Sequence, residues 1–168
     1  AQEWKLSRGA LGPVFSAGLF GLMLGAIAFG TLADRVGRKR IIVVATAAFG
    51  LGTLATVLAQ DATSLMVLRF LTGLGLGGAM PNAVGLTSGL APHRRRATMV
   101  MAMFAGFSIG AALGGLLAAA LIPAFGWRAV FLVGGLVPLL LTPLLAVSLP
   151  ESIRYLALVG DRDRDVAA

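Results

Sequence analysis

The sequence predicts an all-α membrane protein, a bundle of five transmembrane helices, on three observations. Hydrophobic residues make up 58% of the 168 and charged residues only 12%, about half the share found in soluble domains. Mean hydropathy is +0.91. Five apolar runs are separated by short polar connections, and each run is long enough to cross a bilayer at about 1.5 Å of rise per residue.

Composition also excludes several classes. A net charge of +7 would suggest nucleic-acid binding in a soluble protein. Here the cations lie in the connections between apolar runs, so membrane orientation accounts for them and no nucleic-acid partner is expected. There is no cysteine, one histidine and seven acids, which gives no basis for a disulfide, a thiolate metal site or any cofactor. The chain starts at Ala1 without Met or a cleavable signal pattern, and it reads as a piece of a longer chain.

The elements follow in order. Residues 1–10 are short and polar; Trp4 suits the membrane interface, and Ser7 is a candidate cap for the coming helix. The first span is predicted over 11–33, with Pro13 in its first turn, where proline is tolerated. Gly18, Gly21 and Gly25 fall on or near one face, a small-xxx-small pattern for close helix contact. The second span is predicted over 41–59, a turn over 60–63, and the third span over 64–90 with a kink at Pro81. A basic loop at 91–96 leads to the fourth span, 97–122, and a turn at 123–128 to the fifth, 129–149, with kinks at Pro138 and Pro143. His93 in the basic loop reads as a solvated histidine rather than a pH sensor. Residues 150–168 end in the sign alternation of Asp161, Arg162, Asp163, Arg164 and Asp165, a solvated pattern.

Charge asymmetry orients the spans. Arg35, Arg38, Lys39, Arg40, Arg94, Arg95, Arg96, Arg154, Arg162 and Arg164 fall on one side, and Lys5, Arg8 and Arg128 on the other. The positive-inside rule puts the first set in the cytoplasm, so the N-terminus lies outside and the C-terminus inside. Trp4 and Trp127 then share the outer interface.

The connection between the first two spans is the most informative stretch. Gly30 is placed for a close helix approach. Asp34 sits at the negative end of its own helix dipole and needs a partner, either Arg38 or the N-terminus of another helix. Gly37 suits a turn with positive φ. Arg35, Arg38, Lys39 and Arg40 hold the stretch at the cytoplasmic surface. Gly30, Asp34, Arg35, Gly37, Arg38, Lys39 and Arg40 together resemble the signature between the second and third helices of the major facilitator superfamily. The resemblance implies a partial N-terminal transporter half over 1–149, helices two to six, with 150–168 opening the cytoplasmic central loop. The first helix and the C-terminal half would lie outside this sequence. It also implies that Asp34 helps lock one gate state.

Arg69 is the one ionisable residue inside an apolar run, an expensive place for a charge. It can snorkel to the outer interface, pair with the absent first helix, or serve an anionic substrate or proton coupling. Arg69 with Gly73 and Gly75 resembles the fourth-helix motif of the superfamily, which implies substrate or proton handling. No Asp, Glu or His lies within any predicted span, so a titratable group for proton coupling must come from outside this sequence.

Two enzyme-like patterns are refused. Gly73, Gly75 and Gly78 fit G-x-G-x-x-G, but inside one helix and without the acid about 20 residues on that a dinucleotide site needs. Gly106, Ser108 and Gly110 fit G-x-S-x-G in mid-span, away from the single histidine. Helix packing is the reading for Gly73 and Gly77, and for the stripe Gly106, Gly110 and Gly114. No enzyme is expected. Ala111 stands where antiporters of the superfamily often have proline, which leans towards symport or uniport.

The stretches 77–83, 86–88, 94–98, 103–104, 106–108, 110–115 and 126–128, with Leu149 to Ser152, resemble the bacterial aromatic acid:proton symporters. This implies proton-coupled uptake of an aromatic carboxylate across the bacterial inner membrane by alternating access. The partners are the lipid bilayer, a small anionic substrate, protons and the rest of the same chain. Asp34 and Arg38 would bias the gate, Arg69 would handle anion or proton, and Asn82 and Ser108 would face the cavity. Members of that branch commonly carry Glu where this chain has Gly89, which puts the gate's charge network in doubt unless another carboxylate such as Glu151 takes over. Two alternatives stand: a carrier for sugars or other organic acids, and a non-transporting truncated membrane remnant.

Overall fold

The computed structural model describes residues 12–152 and 155–156. Trp4, Ser7 and the alternating tail at 161–165 lie outside the described residues. The described chain forms α1 (Gly12–Val36), α2 (Arg38–Ala55, continued by a 3-10 turn at Thr56–Leu58), α3 (Ala62–Leu90), a 3-10 turn at His93–Arg95, α4 (Arg96–Phe125) and α5 (Trp127–Ser148). All five helices are long and apolar enough to cross a membrane.

The helices outrun the apolar spans, because a helical backbone continues unchanged where its side chains pass from lipid to water. The basic stretch expected as a loop at 34–40 is therefore mostly helix. Asp34 and Arg35 lie in the last turn of α1, and Arg38, Lys39 and Arg40 form the first turn of α2. Gly37 alone separates the two helices, at φ 102°, a conformation that favours glycine. Likewise the turn expected at 123–128 reduces to Gly126 at φ 76°, with Pro123 inside the end of α4. Pro81, Pro138 and Pro143 lie within continuous helices. Asp61 starts α3 with a capping box: its carboxylate accepts the Ser64 N–H at 2.7 Å, and Ser64 Oγ accepts the Asp61 N–H at 3.2 Å.

Packing is built on glycine. Lipid offers no hydrophobic drive for helix association, so backbones must approach closely to gain van der Waals contact. A Cβ on Gly21 or Gly25 would collide with the α3 backbone at Phe70 and Leu74, and one on Gly73 or Gly77 with the α1 backbone at Gly18 and Leu22. These contacts advance together along the sequence, so α1 and α3 run parallel. Gly75 meets α2 at Phe49 and Ala45, while Gly50 of α2 meets Gly135 and Leu139 of α5. Both α2 contacts are antiparallel, as alternating spans require. Buried hydroxyls are satisfied within their own helices: Thr53 donates to the Phe49 carbonyl at 2.7 Å and Thr56 to Gly52 at 2.9 Å.

Two expected packing sites meet no neighbour among the described residues. A Cβ on Gly30 would meet nothing within 4 Å, because that face of α1 turns away from α3. The same holds for Gly106, Gly110 and Gly114, and α4 has no buried residue. Among the described residues no helix covers that stripe, since α4 touches its neighbours α3 and α5 only lightly.

Candidate functional site

Arg69 sits in the second turn of α3, where burial leaves its guanidinium few partners. Its Cζ lies 4.6 Å from the ring centroid of Phe131 on α5, a cation–π contact. Its Nη2 is buried with no hydrogen-bond partner among the described residues. The side chain thus turns inward rather than out to the interface. It lines a cavity of about 290 Å³ whose walls include Phe15, Leu19 and Leu22 of α1 and Phe49 of α2. A half-buried guanidinium whose Nη2 is buried and unused above an apolar floor can receive a carboxylate: that donor is already desolvated, and leaving it unpaired is costly. Phe131 was not singled out by sequence, since nothing in the pattern of α5 marks one aromatic over another.

At the opposite end, three charged side chains, Asp34, Arg38 and Glu151, come near one another. Asp34 Oδ1 lies 3.8 Å from Arg38 Nη2, a loose ion pair between consecutive helices in which Asp34 is exposed and Arg38 half-buried. Of the two partners open to Asp34 in the sequence, the structure supplies Arg38. Glu151, just past α5, does not pair with Arg38. Its Oε1 accepts the Lys39 backbone N–H at 3.1 Å, and its own chain's Ser152 N–H at 2.9 Å, which puts a carboxylate on the positive end of α2. Gly37 leaves the room: a Cβ there would stand 2.6 Å from Glu151 Oε2. Gly85, not flagged by sequence, plays the same part for Arg38, whose Nη1 occupies the place of a Gly85 side chain. The available signal was its four-residue spacing from Pro81 and from Gly89, which alone is too common to use.

The two weaker polar candidates separate. Asn82 is 4% exposed, and its Nδ2 donates to the Gly78 carbonyl at 2.8 Å and, more weakly, to the Phe29 carbonyl of α1 at 3.4 Å. It therefore ties α3 to α1 instead of facing a cavity, because both bonds point into the helix contact. Ser108 is exposed on α4 and donates to its own helix at Phe104, 3.2 Å.

The family model described as Major Facilitator Superfamily matches residues 1–164. The chain belongs to the Major Facilitator Superfamily. Similar superfamily members include the 4-hydroxybenzoate transporter PcaK of Pseudomonas aeruginosa, 51% identical over 92% of this chain and 35% of the relative. The gallate transporter of Pseudomonas putida is 51% identical over 93% of this chain and 35% of its own length. The 3-(3-hydroxy-phenyl)propionate transporter of Escherichia coli is 50% identical over 90% and 38%. This chain thus spans little more than a third of these relatives. Among solved structures, the inward-open xylose transporter XylE of E. coli superposes with a TM-score of 0.73 over 91% of this chain and 41% of its own, at 22% identity. That likeness shows the superfamily fold. The chain is a multi-pass membrane protein related to transporters, not to enzymes.

Proposed function

We propose that these residues form part of the N-terminal half of a secondary transporter that imports an aromatic carboxylate together with protons. The observation that carries this reading is the 50–51% identity, over nine-tenths of the chain, to transporters named for 4-hydroxybenzoate, gallate and a hydroxyphenylpropionate. All three are small anions that join an aromatic ring to a carboxylate. Arg69 fits that chemistry, with a free guanidinium donor for the carboxylate and Phe131 and Phe15 nearby for the ring.

The mechanism is alternating access, one half rocking against the other around a midplane site. The basic end faces the cytoplasm, with the start of this segment outside. The Asp34–Arg38 pair and the Glu151 bond to Lys39 hold α1, α2 and the segment after α5 together when that end is closed. The proton is carried by a titratable group beyond these residues. Residues after 149 begin the central cytoplasmic loop.

The test is uptake of radiolabelled 4-hydroxybenzoate by the full-length protein, with the proton gradient intact and collapsed. Gradient-dependent uptake is expected. Uptake indifferent to the gradient removes the coupling, and none for any aromatic acid removes the substrate class.

A further inference from the structure

A second cavity, of about 430 Å³, opens at the basic end between the start of α2, the end of α3, the start of α4 and the segment after α5. Among the described residues its charged lining is Arg38 and Arg96, with no carboxylate. The missing side chain at Gly85 lets the Arg38 guanidinium lie against α3, where the Arg38 side chain is only 26% exposed. Asp34, its ion-pair partner, stands on the exposed side at 3.8 Å, beyond hydrogen-bonding range. Glu151 is committed to the backbone of α2. Arg96 makes no ion pair among the described residues. A Cβ on Gly89 would meet nothing within 4 Å, so a space remains where a side chain of α3 would otherwise stand. Ser88 is already bonded to the Gly85 carbonyl at 3.1 Å, which leaves the two guanidinium groups and the Ser152 hydroxyl as the donors around the space.

Two cations around one pocket repel each other and hold unused donors, and a charge-assisted bond to an anion relieves both costs. We propose that this cavity binds a small oxyanion of the phosphate type, held between Arg38 and Arg96. The group can come from free phosphate or from the headgroup of a membrane lipid, since the pocket lies at the end of the spans. Once bound, it ties α2 to α4 at the end where their own side chains form no bridge. The site stands apart from Arg69 and does not depend on what the protein transports.

The test uses the full-length protein in nanodiscs and follows the thermal unfolding midpoint. One arm titrates inorganic phosphate against chloride at equal ionic strength in phosphatidylcholine discs; the other replaces part of that lipid with phosphatidylglycerol and omits phosphate. A saturable rise in midpoint is expected in at least one arm, and the responding arm identifies the source. Arg96→Gln, at an exposed position, should keep the fold and weaken the response about tenfold or more. Gly89→Glu should put a tethered carboxylate in the space, abolish the response and raise the anion-free midpoint. If the unsubstituted protein responds in neither arm, or Arg96→Gln responds like it, the site does not exist. If Gly89→Glu does not fold, the Arg96→Gln titration decides alone.

Discussion

Glu151 Oε1 accepts the backbone N–H of Lys39 at 3.1 Å, which fastens the segment after α5 to the first turn of α2. The carboxylate reaches that turn because Gly37 has no side chain to obstruct it. One bond thus links the last described helix to the junction of the first two.

Removing the carboxylate should loosen this junction mildly. Glu151→Gln keeps an acceptor and loses the charge at the helix start, an effect of about 0.3–1 kcal/mol. Gly37→Ala should cost more: about 1–3 kcal/mol for a positive-φ extended backbone open essentially to glycine alone, with a further penalty from the contact with Glu151. Thermal unfolding in detergent ranks the two. If Gly37→Ala unfolds at the unsubstituted temperature, residue 37 does not adopt the positive-φ turn.

The glycines of α1 and α3 should behave unlike those of α4. Gly21→Val or Gly73→Val forces apart two backbones in contact, and destabilisation of at least about 1–3 kcal/mol is expected. Gly114→Val meets open space within this segment and should leave its stability unchanged. Unfolding of the isolated segment in detergent checks the contrast; equal losses at Gly73 and Gly114 would contradict it.

Arg69 offers a separable prediction. Phe131→Leu removes the ring beneath the guanidinium and should cost about 0.5–2 kcal/mol of stability. Arg69→Lys retains charge but loses the planar fork, so uptake by the full-length protein should fall steeply while membrane expression holds. Unchanged uptake would leave Arg69 with a packing role only.

Asp61 carries a pH dependence at the start of α3. Ser64, through its side chain and then its backbone N–H, holds the Asp61 carboxyl below the usual aspartate range. Because the folded value is depressed, the cap's contribution is present above the unfolded value and is lost as pH falls through the folded one. Protection of the Ser64 amide from hydrogen exchange should therefore drop in acid, and Asp61→Asn should flatten that part of the profile. A profile identical in Asp61→Asn would assign the acid sensitivity elsewhere.

The five helices were legible because lipid imposes one rule on every span: a long apolar run with its backbone bonds satisfied internally. The glycine periodicity of α1 and α3 was legible for a similar reason, since small residues four apart fall on one helix face. At Gly106, Gly110 and Gly114 the same periodicity names a face, and no described residue covers it. Asn82 illustrates the limit for polar groups. Sequence marks it as a polar residue in an apolar helix, and only the position of α1 shows that it donates to Phe29.

By itself, then, the sequence determined how many helices form, where they end in charge, and which family's signature joins the first two, because these depend on local composition and spacing. The tertiary structure decided the partners: Phe131 under Arg69, Gly85 beside Arg38, Glu151 on the N–H of Lys39. Those contacts join residues far apart in the chain, and their geometry exists only once helices have chosen which faces to pack.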